Sequence, residues 1–440
     1  MNKPSAFVLM LVALAATGAP AGAQTKLTLA DAIARAREDT AGARALAAAV
    51  DEADARIRRA SSGYWPRVDL AETVQRGNQP VFVFSSLLAQ RRFSAASFAV
   101  DALNHPDPVT NTRTAIGIEQ TVFDAGMTRL GVQAATLDRD MAAATSDAVR
   151  QDLAFQAAQA FVAVLQHEAA VGAADAAVAA AESDRQRASA RRDAGLVTDA
   201  DVLAVEVHLA DVRQMQIAAV GDLAVARLQL ADAVGLPPAT PIAPIAPVPP
   251  PDPDDSDALV QEALANHPAL GQADLQLQLA DNRRRSARAA LWPAVGAQGG
   301  WELNGATFGS QRSSWAIGAE VRMNLFRGGA DAATMAEARH AYLRAAAERE
   351  RAARRIEVEV RGALTQLAAA RARAQAGQAA LTQARESQRI VRDRYENGVA
   401  GVTDLLRAAG AVVDAESRAT AADMDVILRG VALDRARGRL

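Results

Sequence analysis

The sequence predicts a mainly α-helical protein with a small β part, built by tandem duplication of one helix-rich unit. Hydrophobic residues make up 50 % of the chain and aromatic residues only 4 %, and much of the hydrophobic content is alanine, which favours closely packed helices. Two stretches without proline, from Gly126 to Gly195 and from Gly329 to Gly398, each span 69 residues and carry apolar residues at helical spacing. At about 1.5 Å per residue each helix is about 100 Å long, which favours coiled-coil hairpins.

Short matching sequences recur at two fixed distances. GLVTDADVL at 195–203 and GVAGVTDLL at 398–406 lie 203 residues apart. The pairs Trp65-Pro66 and Trp292-Pro293, which end the helices before them, lie 227 residues apart. The first half therefore carries an insertion of 24 residues, located within residues 77–111.

These matches divide the chain into a signal peptide (1–23), a first repeat (24–235), a proline-rich linker (236–255) and a second repeat (256–440). Lys3, an apolar core and an Ala-x-Ala cleavage site predict the signal peptide. The alternative, a short membrane anchor, is disfavoured because eleven apolar residues cannot cross about 30 Å of hydrocarbon. No run of about 18 apolar residues follows, so we expect no transmembrane helix.

Four segments are predicted as strands, two in each repeat. The clearest runs from Trp315 to Leu325 and alternates apolar with polar residues; Val68–Val74 and Thr114–Val122 are weaker versions. A closed barrel needs about eight strands or more, and four amphipathic strands alone leave two open edges. We therefore expect several chains to share one lipid-facing barrel, with Trp301 near a strand end; the alternative is a soluble pair of hairpins packed on helices.

The ordered set of motifs resembles the TolC-like outer membrane efflux proteins over almost the whole mature chain. The set comprises the signal peptide, the duplication, Trp-Pro before the first strand of each repeat, Phe-Asp-Ala-Gly (123–126) or Phe-Arg-Gly-Gly (326–329) after the second, and Gly-x5-Asp-hydrophobic-Leu at the far turns. The resemblance implies a homotrimer with a 12-stranded barrel in outer-membrane lipid and a long α-helical barrel across the periplasm. Such a protein is an exit duct of a tripartite efflux pump or a type I secretion system, not an enzyme. Its partners are a periplasmic adaptor and an inner-membrane transporter.

The resemblance also implies roles for individual residues. Asp201 and Asp404 match acids of the periplasmic gate, and Tyr395 matches a tyrosine that helps hold the gate closed. Arg407 stands where the family has a second gate acid, and Ala400 stands where it has an arginine involved in closure. The turns that dock the adaptor comprise Gly195, Leu196, Val197, Thr198, Gly398, Val399, Ala400 and Gly401. The helix–strand switches are Trp65, Pro66, Trp292 and Pro293.

Helix capping is an alternative role for the two aspartates. Thr198 followed by Asp201 fits a capping box, and Asp404 falls in the first turn of its helix, where the dipole favours an anion. An acid can both cap a helix and face a pore, so the two roles are compatible.

Other chemistry is not expected. The five histidines are scattered with no metal-ligand spacing, and no nucleotide or nucleophile motif occurs, so no cofactor or metal is predicted. The chain has no cysteine and a net charge of −3, which excludes disulfides and gives no electrostatic case for nucleic acid. A periplasmic adaptor and a structural coiled-coil protein are the alternative functions. Val81–Phe84 of the insertion either extends the barrel rim or packs over the mouth as an extracellular loop, and we favour the loop.

Overall fold

The computed structural model describes residues 25–38, 40–252 and 255–440, so the predicted signal peptide lies outside the described residues. Ten helices form within this part of the chain. Their bounds are α1 Leu29–Glu38, α2 Ala41–Ser61, α3 Pro80–Ala89, α4 Val100–Asn104, α5 Met127–Asp193, α6 Asp199–Ala233, α7 Ser256–Asn266, α8 Pro268–Ala289, α9 Ala330–Glu396 and α10 Val402–Ala436. The strands are β1 Thr25–Leu27, β2 Arg67–Gly77, β3 Val109–Phe123, β4 Ile242–Pro244, β5 Ala294–Gly305 and β6 Arg312–Arg322.

The two long helices have the same length, as the spacing of the glycines predicts. Helices α5 and α9 each contain 67 residues, and the returning helices α6 and α10 each contain 35. Contrary to the expectation from sequence, α5 contains one window that is long and apolar enough to cross a membrane. A single window of this kind is weak evidence of a membrane span, because core helices of soluble proteins share its composition.

The described residues form two compact units, and each unit draws on both sequence repeats. One unit contains the described residues up to Ala43 together with Arg150–Ser256 and Arg361–Leu440; the other contains Arg44–Val149 and Asp257–Val360. Each long helix therefore contributes to both units. The repeats are defined by matches in the sequence, whereas the units are defined by contacts between residues in the structure.

The first unit has a core built on a two-stranded sheet that the sequence did not predict. Strand β1 pairs in parallel with β4, which lies inside the proline-rich linker. Phe161, Leu230 and Ile242 are fully or almost fully buried in the adjoining cluster. The two strands were missed because each has only three residues, too few to show an alternating pattern.

Downstream of β4 the linker is held as a strap against α9 and α10. Arg371 donates hydrogen bonds to the backbone oxygens of Pro250, at 2.7 Å, and Pro251, at 2.5 Å, and also pairs with Asp252. The ring of Pro250 lies so close to α10 that a Cβ added to Gly430 would be 2.7 Å from its Cγ. Glycine at position 430 therefore allows the strap to dock.

The second unit contains an antiparallel sheet of the four predicted strands, in the order β2-β3-β5-β6. Side chains on one face are mostly apolar and those on the other are mostly polar. A register row on the apolar face consists of Leu70, Ile116, Trp301 and Trp315, and a row on the polar face consists of Thr73, Arg113, Asn304 and Arg312. The observed strand β6 ends at Arg322, so the prediction that this strand continues through Met323–Leu325 is wrong.

The insertion in the first repeat is helical. Val81–Phe84 belongs to α3, so this run does not extend a strand of the sheet. Pro80 occupies the first turn of this helix, where its missing N–H costs nothing and its fixed φ suits the helix. The sequence analysis did not recognise Pro80 as a helix start, because the β-branched and aromatic residues that follow it are typical of strands.

Replacing Gly430 by alanine should destabilise the first unit. The added methyl group must displace the rigid Pro250 ring, and overpacking of this kind costs about 1–3 kcal/mol. This cost exceeds the gain in helix propensity of about 1 kcal/mol that alanine has over glycine. Gly410→Ala is the matched control, because α10 has open space at that position. Thermal unfolding followed by circular dichroism should show a lower midpoint for Gly430→Ala only; equal upward shifts would contradict the strap contact.

Candidate functional site

The turn between α5 and α6 is a Schellman motif, which closes the end of a helix with a glycine of positive φ. Gly195 has φ 74°, a conformation that side chains with a Cβ rarely adopt. Its N–H donates to the backbone oxygen of Arg192, and the N–H of Leu196 donates to that of Arg191, both at 2.8 Å. Two of the carbonyl groups left open at the end of α5 are thereby satisfied.

The turn between α9 and α10 repeats this motif. Gly398 has φ 75°; its N–H donates to the oxygen of Tyr395 at 3.0 Å, and the N–H of Val399 donates to that of Arg394 at 2.8 Å. The recurring sequence therefore encodes the same backbone turn twice. Leu196 and Val399, at equivalent positions of the two turns, are both about two-thirds exposed.

Asp201 belongs to a capping box at the start of α6. The N–H of Thr198 donates to its carboxylate at 2.9 Å, and the N–H of Asp201 donates to the Thr198 hydroxyl at 3.3 Å. The Thr198 N–H, followed by its hydroxyl, holds the pKa of Asp201 below the usual value. The stabilisation by the carboxylate is therefore fully present above the unfolded value of about 3.9 and is lost as pH falls through the lowered folded value.

Asp404 has a different environment, although it occupies the matching position of the second turn. The residue before α10 is Gly401, which has no side chain to take part in a cap. The Asp404 carboxylate instead pairs with Arg407 of the same helix, with Oδ1 and Nη1 3.3 Å apart, and both side chains are largely exposed. The predicted capping box is thus present at Asp201. Asp404 lies in the first turn of α10, as predicted, where the helix dipole favours its carboxylate without a side-chain cap.

Beneath the two turns, an apolar cluster joins all four long helices. Its buried members are Ala188, Val202, Val205, Tyr395, Val402 and Leu405. Tyr395 is 3 % exposed, and its hydroxyl has no hydrogen-bond partner among the described residues. Burial raises the pKa of this hydroxyl, an effect that the positive charge of Arg191 opposes.

Two arginines of α5 reach across to α9. The guanidinium of Arg191 lies over the Tyr395 ring, 5.1 Å from its centroid, and donates to the backbone oxygen of Glu396 at 2.7 Å. Arg187 bonds to the carboxylate of Glu396 at 3.0 Å. These contacts fasten the end of α5 to the end of α9 through charge-assisted hydrogen bonds and a cation–π contact.

A buried carboxylate lies under the same cluster, one that the sequence analysis did not identify. Asp184 has a side chain 3 % exposed, with Arg187 at 3.5 Å and Arg392 at 4.0 Å from its Oδ1. Burial raises the pKa of Asp184, and the two arginines act in the opposite direction. The sequence could have indicated this burial, because Asp184 is spaced three and four residues from Ala181 and Ala188 and so lies on the same buried face of α5.

The two Trp-Pro pairs lie immediately before β2 and β5. Trp65 and Trp292 are 75 % and 67 % exposed. The backbone of Trp65 is extended, with φ −108° and ψ 152°, as the following proline requires. Among the described residues no cluster of potential metal ligands occurs.

Replacing Thr198 by alanine should loosen the first turn of α6. Loss of an N-cap side chain costs about 1 kcal/mol, which makes amide hydrogen exchange there about fivefold faster. Thr403→Ala, at an exposed position in the first turn of α10, is the control and should leave exchange unchanged. Amide exchange is measured by mass spectrometry on peptides from each turn. Equal exchange rates in the two variants would contradict the capping box.

Known proteins share both the sequence pattern and this architecture. Protein CyaE of Bordetella pertussis is 29 % identical over 341 residues, which cover 76 % of this chain and 72 % of that protein. The outer membrane protein VceC of Vibrio cholerae matches with a TM-score of 0.76 at 19 % identity, over 93 % of this chain and 96 % of that one. The CmeC outer membrane channel of Campylobacter jejuni matches with a TM-score of 0.78 at 14 % identity, over 93 % and 85 %.

These structural matches confirm the predicted fold class, mainly helical with a small sheet. The family model described as Outer membrane efflux protein matches residues 32–236 and 259–439, a range that includes both turns and all four strands of the sheet. The chain therefore belongs to the outer membrane efflux protein family.

Proposed function

We propose that three copies of this chain close one 12-stranded barrel in the outer membrane and continue as a helical barrel in the periplasm. The four-stranded sheet carries this proposal. Its outer strands, β2 and β6, each pair on one side only, and its apolar face is exposed, with Leu70 and Trp315 at 72 % and 74 %. Pairing of β6 with β2 of the next copy satisfies both edges, and lipid covers the apolar face.

The tryptophans before the strands fit the same arrangement. Trp65 and Trp292 are exposed at the start of β2 and β5, where a girdle of aromatic residues marks the membrane–water interface of a barrel. Pro66 and Pro293 then separate helix from strand at that interface. We assign these four residues to the helix–strand switch.

The turns would form the periplasmic entrance, with six turns around it in the trimer. Asp404 is exposed at this end and contributes negative charge to the opening. Asp201 contributes less, because its carboxylate is turned toward Thr198. Tyr395 holds the closed arrangement through Arg191. Arg407 replaces an acid and tempers the cation preference that rings of carboxylates produce.

A periplasmic adaptor would dock on the turns, and an inner-membrane transporter would drive export. The exposed pair Leu196 and Val399 offers a small apolar contact on each hairpin, flanked by backbone with little side-chain bulk. Transport through the duct is passive, and we assign no catalytic residue to the chain. A periplasmic adaptor or a fibre does not account for an amphipathic sheet with two open edges.

The first test is the particle mass of the protein extracted by detergent from purified outer membranes. We expect a trimer that dissociates on heating, because shared strands and helices hold the three chains together. Planar-bilayer recording of the same particles should show ion-conducting channels. A monomer in the soluble periplasmic fraction would overturn the proposal.

Asp404→Ala should alter permeability at the entrance. Loss of the carboxylate leaves the charge of Arg407 unpaired, so the reversal potential in a salt gradient should shift toward anions. Leakage of a large antibiotic into cells that produce the variant should rise, because the ion pair no longer orders the turn.

Asp201→Asn is the matched control, since the amide oxygen still accepts from Thr198; we expect a smaller shift. If Asp404→Ala left both selectivity and leakage unchanged, the gate assignment would be wrong and Asp404 would be only half of a surface ion pair.

A further inference from the structure

The insertion between β2 and β3 packs against the polar face of the sheet. Gln90, at the end of α3, is 2 % exposed and donates to the side-chain oxygen of Asn111 at 2.9 Å. Asn111 in turn donates to Asn304 at 2.9 Å. Both asparagines belong to the polar face by register, so this buried amide chain fixes the insertion on that side.

Further contacts fix its position at the strand ends far from the Trp-Pro junctions. The Phe82 ring lies 3.7 Å from where a Cβ on Gly77 would be, at the last residue of β2. Arg91 donates to the backbone oxygen of Ser313 in β6 at 3.2 Å. The insertion thus reaches from the first strand of the sheet to the last.

The insertion also has its own small core. Phe84 and Phe93 meet edge to face at 4.8 Å between ring centroids, and Phe93 and Phe98 meet in the same way at 5.0 Å. Val83 is 5 % exposed. Packing of this kind makes the segment an ordered body rather than a flexible loop.

In a membrane barrel the apolar face must be outside and the polar face inside, so the insertion lies inside the mouth. Twelve strands spaced by about 4.8 Å and tilted by about 40° close a barrel with a radius of about 12 Å. A helix with its side chains is about 10–12 Å wide. Three helices projecting from the wall therefore cannot avoid one another near the axis.

The insertion also has an apolar surface that none of the described residues covers. Val81 and Val100 are about three-quarters exposed, Phe98 is 65 % exposed and Leu88 is 49 % exposed. Exposure of these four apolar side chains to water in the lumen is unfavourable. We propose that the insertions of the three copies contact one another through these residues and form a second constriction in the barrel mouth. The proposal rests on the shared barrel proposed above.

Cross-linking tests the contact directly, because the chain has no cysteine and a single one can be introduced. Phe98→Cys in intact outer membranes, treated with a short bismaleimide, should give cross-linked dimers that survive heating. Leu70→Cys, equally exposed but on the apolar face, is the control and should stay monomeric after heating. Absence of the Phe98→Cys cross-link in a heat-sensitive trimer overturns the inference.

Conductance tests the constriction. Residues 78–108 are replaced by the short β5–β6 connection, residues 306–311, and we expect single-channel conductance to rise about twofold or more as the mouth widens. Gln90→Ala, which releases the insertion from Asn111 without removing it, should raise conductance less. Unchanged conductance in both variants overturns the inference.

The two proposals fail separately. If the parent protein forms no trimer and no channel, the proposed function is wrong. If the parent forms a conducting trimer but Phe98→Cys gives no cross-link, or neither conductance variant differs from the parent, only the second constriction is wrong.

Discussion

The unpaired backbone groups of β2 and β6 are the constraint on which the rest of the structure depends. Four strands with one apolar face cannot satisfy their edges in a single chain, and the cost of unpaired N–H and C=O groups is highest where water is absent. In the proposed assembly, closure by several copies removes the edges. The long helices would then continue from strands whose positions around the barrel are already set, which accounts for the equal lengths of α5 and α9.

The two repeats have helices of equal length but differ in the side chains at their turns. Both turns use the same glycine conformation, but Thr198 caps one helix and Gly401 leaves the other without a side-chain cap. One aspartate is therefore held by backbone and the other by Arg407. Arg192 and Tyr395 also occupy equivalent positions, and only the tyrosine is buried. The two turns thus differ in their side-chain chemistry although their backbone conformations are nearly the same.

Repeats and periodicity allowed much of this to be predicted from sequence. The equal long helices, the four-stranded sheet and the capping box at Thr198 depend on local patterns that survive folding. Contacts between residues that are far apart in the chain have no local sequence pattern and were not predicted. Examples are the contact of Arg191 with the Tyr395 ring, the pairing of β1 with β4 and the hydrogen bonds of Arg371 to the linker. The helical insertion was missed for another reason, because a β-branched and aromatic run outweighed the proline that starts α3.

The insertion shows how a duplicated channel gains a feature without disturbing its walls. Added residues between β2 and β3 leave the strand register intact from Arg67 to Gly77, since they begin only where pairing ends. Their polar contacts are made to asparagines on the polar face of the sheet, so the apolar face is unchanged. In the proposed barrel an addition at the same place on the apolar side would have to bury amides in hydrocarbon, which makes the lumen the side on which a loop of this size can fold.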